Sequence, residues 1–329
     1  MALSAEFERL IERRDTLQES AIDQFDLRLE QFAENAARRL AAALKVDPDS
    51  IFEPNGTDGT RVGATDFERR ISELSGSERI AAAVMAAQLD EVEEFVAAAG
   101  LENARGALRG TVPELAGLAE LTFEAQGIEG AIGSLDTVAA EALIGNYINN
   151  NLDSAIRRTV DGPAAVRIQQ ALSANLGLRT PSEIAFNIAE RELTSIPSAL
   201  TEARTQLAEA DRFCQETVRR SLDPEGERFV LAYIGPTGPA NVIRPFCTHL
   251  VGKYFSVKDF NNANHFQTGT HPRISGGGYN CRHMVQPLTN NEDYLANSGL
   301  RKGTPGDIAT ANSAAQSSRT KKGRRGRRR

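Results

Sequence analysis

The chain has 329 residues but no tryptophan, only three cysteines and only four histidines. Three cysteines cannot build a disulfide scaffold, so a packed core has to hold the fold. No uncharged apolar run approaches the ~20 residues of a membrane-spanning helix; the best, Ile80 to Leu89, is far too short. The first residues, Met1 to Glu8, lack the basic and apolar blocks of a secretory signal, which leads us to expect a reducing, intracellular setting. Carboxylates are scarce in one window: from Phe229 to Pro287, Asp259 stands alone. Two-metal nucleases draw on several acidic oxygen ligands, so that window is a poor one for them.

What is present fits a globular chain of two ordinary domains. Hydrophobic residues make up 40% and charged ones 25%. The net charge of −6 conceals an asymmetry. Beyond residue 300 there are ten Lys/Arg against Asp307 alone, a net +9, while the first 300 residues hold 28 basic against 43 acidic residues, a net −15. An acidic body thus carries a basic tail.

Residues 4 to about 45 read as one long helix, because Ile22, Phe25, Leu29, Phe32, Ala36, Leu40 and Ala43 recur in steps of three and four. It is either a bundle helix or the seam of an oligomeric coiled coil. Residues 46 to 63 are a loop rich in Pro, Asn-Gly and Asp-Gly. A helix over 77–99 follows, opened by Ser75 with Glu78 and closed by Gly100. Further helices are expected near 113–125, 134–160 and 163–176. Thr180-Pro181-Ser182-Glu183 combines an N-cap, a proline at the first helical position and a capping glutamate, opening a helix to about Leu193. The last long helix covers about 198–222, with Leu200, Ala203, Leu207, Ala210, Cys214 and Val218 as its apolar stripe; Cys214 reads as a core residue. After Asp223-Pro224-Glu225-Gly226 the pattern changes to short strands, Arg228 to Ile234 and Lys253 to Val257. The expected architecture is mainly α. A helical domain spans 1–195, a long helix plus a small α+β module spans 196–290, and a flexible basic tail spans 291–329.

The chemistry collects in the module. All four histidines and two of the three cysteines lie in one stretch: Cys247, His249, His265, His271, Cys281 and His283. Cys247-Thr248-His249 and Cys281-Arg282-His283 bracket it. In an extended Cys-x-His both side chains point to one face, so each pair can offer two ligands to one ion. Thiolate and imidazole suit tetrahedral zinc, and a small module with little core gains most from a structural zinc. The alternative is packed thiols or a disulfide, with histidines that hydrogen-bond in loops. Ser275-Gly276-Gly277-Gly278 lacks the Lys-Ser/Thr of a phosphate loop and reads as a tight loop needing positive φ.

Two blocks in this module carry a family resemblance. Arg244-Pro245-Phe246-Cys247, with Leu250, Gly252, Lys253 and Phe255, forms the first. Gly277-Gly278-Tyr279-Asn280-Cys281-Arg282-His283, with Pro287 soon after, forms the second. Together with the lead-in strand 229–235 they resemble the C-terminal module of the Mu F-like minor head proteins of tailed phages, over about residues 200–290. Arg244 stands where the commoner form often has the first cysteine of a Cys-x-x-Cys, and Gly278-Tyr279 stand where it often has His-Pro. Cys247, Cys281 and His283 match motif positions; His249, His265 and His271 do not. The resemblance implies a low-copy virion head protein that works beside the portal and/or major capsid protein in head morphogenesis, DNA packaging or ejection. It implies no enzymatic activity. The competing reading is a metal-dependent nuclease or hydrolase using His249, His271, Cys281 and His283; a DNA-binding adaptor unrelated to phage is a third.

Eight of the last eleven residues are basic: Arg319, Lys321, Lys322, Arg324, Arg325, Arg327, Arg328 and Arg329. Such an arm neutralises several phosphates of double-stranded DNA with a steep salt dependence. No aromatic is interleaved for base stacking, so sequence reading is not expected.

Overall fold

The structure is a computed structural model that describes residues 5–43, 100–156, 199–236, 243–267, 270–278 and 281–326, the last stretch with side chains as far as Ser318. The expected helices over 77–99, 163–176 and 180–193, the boundary at 195, the residues Tyr279 and Asn280 and the basic side chains from Arg319 onward lie outside it. The fold is mainly α, about 66% helical, with a small four-stranded mixed sheet. No helix among the described residues is long and apolar enough to cross a membrane.

The chain divides into two compact units, each discontinuous in sequence. One comprises Met1–Ile22, Leu108–Ser154 and Thr201–Arg329; the other comprises Asp23–Ala107 and Ala155–Leu200. In order, the described elements are α1 (Ala5–Ala43), α2 (Leu101–Glu124), α3 (Val138–Tyr147, continued by a π-helical stretch Ile148–Asp153 and a short helical turn Ser154–Ile156) and α4 (Ala199–Leu222). Then come β1 (Phe229–Ile234), α5 (Pro245–Leu250), β2 (Lys253–Ser256), α6 (Val257–Phe260) and α7 (Pro272–Ser275). The series ends with β3 (Met284–Thr289), α8 (Glu292–Asn297), β4 (Arg301–Lys302) and α9 (Pro305–Gly326).

In the second unit Phe25, Phe32 and Ala36 of α1 are buried, on the face that the three-and-four spacing picks out. Helix α2, which passes into the first unit at Leu108, starts well before the expected residue 113 and carries Pro113 inside it. A proline there forfeits one backbone bond. Ala104, Leu108, Val112, Leu115 and Ala119 are buried at helical spacing along the same element, and that burial outweighs the lost bond.

In the first unit the strands lie in the order β3-β1-β2-β4; β1 is antiparallel to both neighbours and β4 parallel to β2. Pro287 pairs with Leu231 in β3, an edge strand, where a missing N–H costs no ladder bond. The Gln126 amide covers that edge: its Nε2 donates to the Pro287 carbonyl at 3.2 Å and its Oε1 accepts from the Thr289 N–H at 2.9 Å. One sheet face, with Leu231, Tyr233, Phe255 and Val285, packs on Phe246, Cys247 and Leu250 of α5, Phe260 of α6, and Ile308, Ala311 and Ala315 of α9. The other face, with Val230, Ala232 and Leu288, meets Phe7 of α1 and Leu295 of α8. That face also buries a charge. Arg14 is fully buried, donates to both carboxylate oxygens of Asp211 at 3.0 and 2.5 Å, and donates to Gln286 Oε1 at 2.9 Å.

Residues 291–318 correct one expectation: they are not a tail. Asn291 caps α8 by accepting from the Tyr294 N–H at 3.1 Å. Thr304 caps α9, accepting from the Asp307 N–H at 3.2 Å, while Asp307 Oδ2 accepts from the Thr304 N–H at 2.9 Å. Composition misled here. Ile308, Ala311 and Ala315 form a short stripe whose small side chains let α9 lie close to the module core.

Candidate metal centre

The two motif blocks, far apart in sequence, meet beneath the sheet. Cys247 sits on α5, whose start is fixed by Pro245 at the first helical position. Cys281 and His283 lie on the extended segment that runs into β3. Their Sγ, Sγ and Nδ1 atoms all lie within 4.8 Å of one another, and all three residues are buried. The Cys247 and Cys281 sulfurs are 3.8 Å apart, and Cys281 Sγ is 3.6 Å from His283 Nδ1.

Each of these side chains has an outer partner. The Tyr233 hydroxyl, fully buried and kept protonated by that burial, shares a hydrogen bond of 3.2 Å with Cys247 Sγ. The Gly277 N–H donates to Cys281 Sγ at 3.0 Å. A Cβ at Gly277 would collide with Cys247 Sγ and stand 3.2 Å from Cys281 Sγ, so only glycine brings its backbone this close to both sulfurs. The His283 Nε2–H donates to the Pro236 carbonyl at 3.0 Å, which turns Nδ1 toward Cys281 Sγ. The His283 ring lies over Gly235, where a Cβ would come within 2.8 Å of Cδ2, and stacks at 5.3 Å on Tyr233.

The electrostatics follow from these contacts. The hydrogen bond from Cys247, helped by His283 and Arg212, holds the Cys281 thiol well below its usual range. The same bond, together with burial, pushes Cys247 up. Tyr233, Cys247 and Cys281 thus form one buried hydrogen-bonded chain. Two soft sulfurs and one oriented imidazole nitrogen with a full outer layer of donors are a donor set that fits zinc. Cys247, Cys281 and His283 would hold such an ion, and it would cross-link α5 to the start of β3.

The other candidates go elsewhere. His249 does not reach the cluster, which corrects the expectation for the first Cys-x-His pair. That pair lies on a helix, where residues two apart point about 200° apart, whereas the second pair is extended. His265 spends both ring nitrogens: Nδ1 accepts from the Gln267 N–H at 3.0 Å, so Nε2–H donates to Ser275 Oγ at 2.6 Å. Its burial lowers its pKa to about 4. His271 Nδ1 accepts from the Arg273 N–H at 3.1 Å, capping α7, and its Nε2–H donates to the Asn261 carbonyl at 3.2 Å. Lys253, a motif residue, bonds the His249 carbonyl at 2.8 Å and Asp307 at 2.7 Å, tying β2 to α9. Gly276 and Gly278 have φ of +59° and +98°, as expected of a tight loop. Cys214 is fully buried, and its burial pushes its thiol up, as for a core residue.

No family profile, curated protein or solved structure matches the chain. Among the described residues Cys247, Cys281 and His283 are the one group of three or more Cys, His, Asp or Glu with metal-binding geometry, and no carboxylate joins them. Tyr233, Pro236 and the Gly277 N–H were not singled out by the sequence. For Tyr233 a signal existed: it alternates with Phe229 and Leu231 and so faces the same side of β1. For the carbonyl of Pro236 and the N–H of Gly277 there was none, because backbone groups carry no residue-type signature.

Proposed function

We propose that this chain is a minor structural protein of a phage head, with the portal and/or major capsid protein as partners. We further propose that its α+β module is stapled by a zinc ion on Cys247, Cys281 and His283. The observation that carries this reading is the convergence of the two motif blocks on a buried centre. Cys247 is 1%, Cys281 4% and His283 6% exposed, beneath the sheet and with no carboxylate beside them among the described residues. Three protein ligands leave one tetrahedral position of a zinc ion over, but the site is buried and no carboxylate stands beside it among the described residues to serve as a base, which favours cohesion over hydrolysis. Of the four residues that a nuclease reading would use, His249 and His271 are not part of the cluster.

In this reading the helical elements make protein contacts. The run from Arg319 to Arg329 meets packaged double-stranded DNA through phosphates without reading sequence. Mass spectrometry of gradient-purified particles from the host that carries this gene is the test. The chain is expected at low copy beside portal and capsid proteins. Infectious particles that lack it would overturn the virion role. Gel-shift titration of the purified protein tests the arm: deletion of residues 319–329 is expected to abolish salt-sensitive DNA retention, and unchanged binding would refute it.

A further inference from the structure

Arg212, on α4, is a buried cation that makes no ion pair at salt-bridge distance among the described residues; Glu209, one turn earlier on α4, acts on it only at longer range. Arg212 is 2% exposed, and its neighbour Asp211 is engaged by Arg14 instead. Its donors go to backbone carbonyls of the two segments that frame the metal centre. Nε donates to the Ile274 carbonyl at the end of α7, and Nη1 donates to the His283 carbonyl at 2.9 Å and more weakly to the Cys281 carbonyl at 3.5 Å. Nη2 is buried with no partner. The guanidinium also sits against Gly276: a Cβ there would lie 3.4 Å from Arg212 Cζ, 3.2 Å from Cys281 Sγ and 3.2 Å from the His283 carbonyl.

Burying a guanidinium without a directly paired carboxylate is costly, and its hydrogen bonds to the three carbonyls recover part of that cost. The fork is planar and rigid. It therefore fixes the distance between the loop that presents the Gly277 N–H and the segment that presents Cys281 Sγ and His283 Nδ1. We infer that Arg212 is a positioning residue for the metal centre: it holds two of the three ligands, and the loop that donates to one of them, in their binding geometry without touching the ion. The inference rests on the proposed metal site and adds a residue from outside both motif blocks.

The test uses the full chain purified without a polyhistidine tag. Zinc affinity is read by competition with a chromophoric chelator, and the ligand field by the thiolate-to-metal absorption of the cobalt(II) form. Wild type, Cys281→Ser, Arg212→Lys and Arg212→Gln are compared. Wild type is expected to bind and Cys281→Ser to lose binding. Both Arg212 variants should bind about 10- to 100-fold more weakly, the range for a lost outer partner of a metal ligand. Their cobalt absorption should also be shifted, a change that a general loss of stability would not produce. An ammonium at 212 cannot span all three carbonyls, so lysine is not expected to rescue.

If wild type binds no metal, the metal reading and this inference both fall. If wild type binds, Cys281→Ser does not, and the Arg212 variants match wild type in affinity and spectrum, the inference alone falls. Should the variants fail to fold, wild type still decides. Zinc loading is expected to tighten the two segments that Arg212 joins and so to slow exchange of its Nε–H. Unchanged exchange on zinc loading would overturn the role.

Discussion

The chain contains the tripeptide Cys-x-His twice, and the two copies behave differently. Cys281-Arg282-His283 is extended, so both of its ligand side chains fall on one side and enter the buried centre. Cys247-Thr248-His249 lies on α5, so Cys247 turns inward while His249 stays half-exposed. A ligand motif is thus a statement about residue types, and the backbone decides how many of them reach one point.

Several substitutions can break or sharpen this comparison. The largest effect is expected from Cys281→Ser, which removes the atom that both other ligands approach: a loss of about 3 kcal/mol or more in the zinc-loaded protein, read by chemical denaturation. Gly277→Ala is expected to cost roughly 1–3 kcal/mol, because the added methyl collides with Cys247 Sγ in a packed core. His249→Ala, on the arm of the first pair that stays outside, should change stability by less than about 0.5 kcal/mol.

Glu209, on α4, gives a control of opposite sign. Burial raises its pKa to about 7. The folded state therefore holds that proton more tightly than the unfolded chain, where the carboxyl titrates near 4.5. The associated stability is fully present below about pH 4.5 and is lost as pH rises through about 7. Metal binding at the proposed centre would run the other way, since its ligands must lose protons to bind. Glu209→Gln should leave stability at pH 4 unchanged and raise it at pH 8 by on the order of 3 kcal/mol. Equal denaturation midpoints for variant and wild type at pH 8 would refute the assignment.

Legibility followed the same division. The long helices were readable because burial imposes a period of three and four, as in α1 and α4. The strand β1 was readable from its β-branched and aromatic run. β3 was missed because Pro287 argues against a strand unless the strand lies at an edge. The end of the chain was misread although Thr304-Pro305-Gly306-Asp307 has the same grammar as Thr180-Pro181-Ser182-Glu183, a threonine cap, a proline and an acid at the third position. The Asn/Ser/Ala composition that follows Thr304 hid the three-residue stripe of Ile308, Ala311 and Ala315. For the centre, the types and positions of Cys247, Cys281 and His283 were visible. That α5 is helical, and so removes His249, depends on the packing of Phe246 and Leu250 into a core assembled from distant segments.

Zinc content separates these accounts most directly. Full-length wild type, His249→Ala and His283→Ala, purified without a tag, are analysed by inductively coupled plasma mass spectrometry after dialysis against a weak chelator. The account predicts about one zinc per chain in wild type and in His249→Ala, and a large loss in His283→Ala. Absence of zinc from wild type, or retention by His283→Ala with loss from His249→Ala, would contradict it.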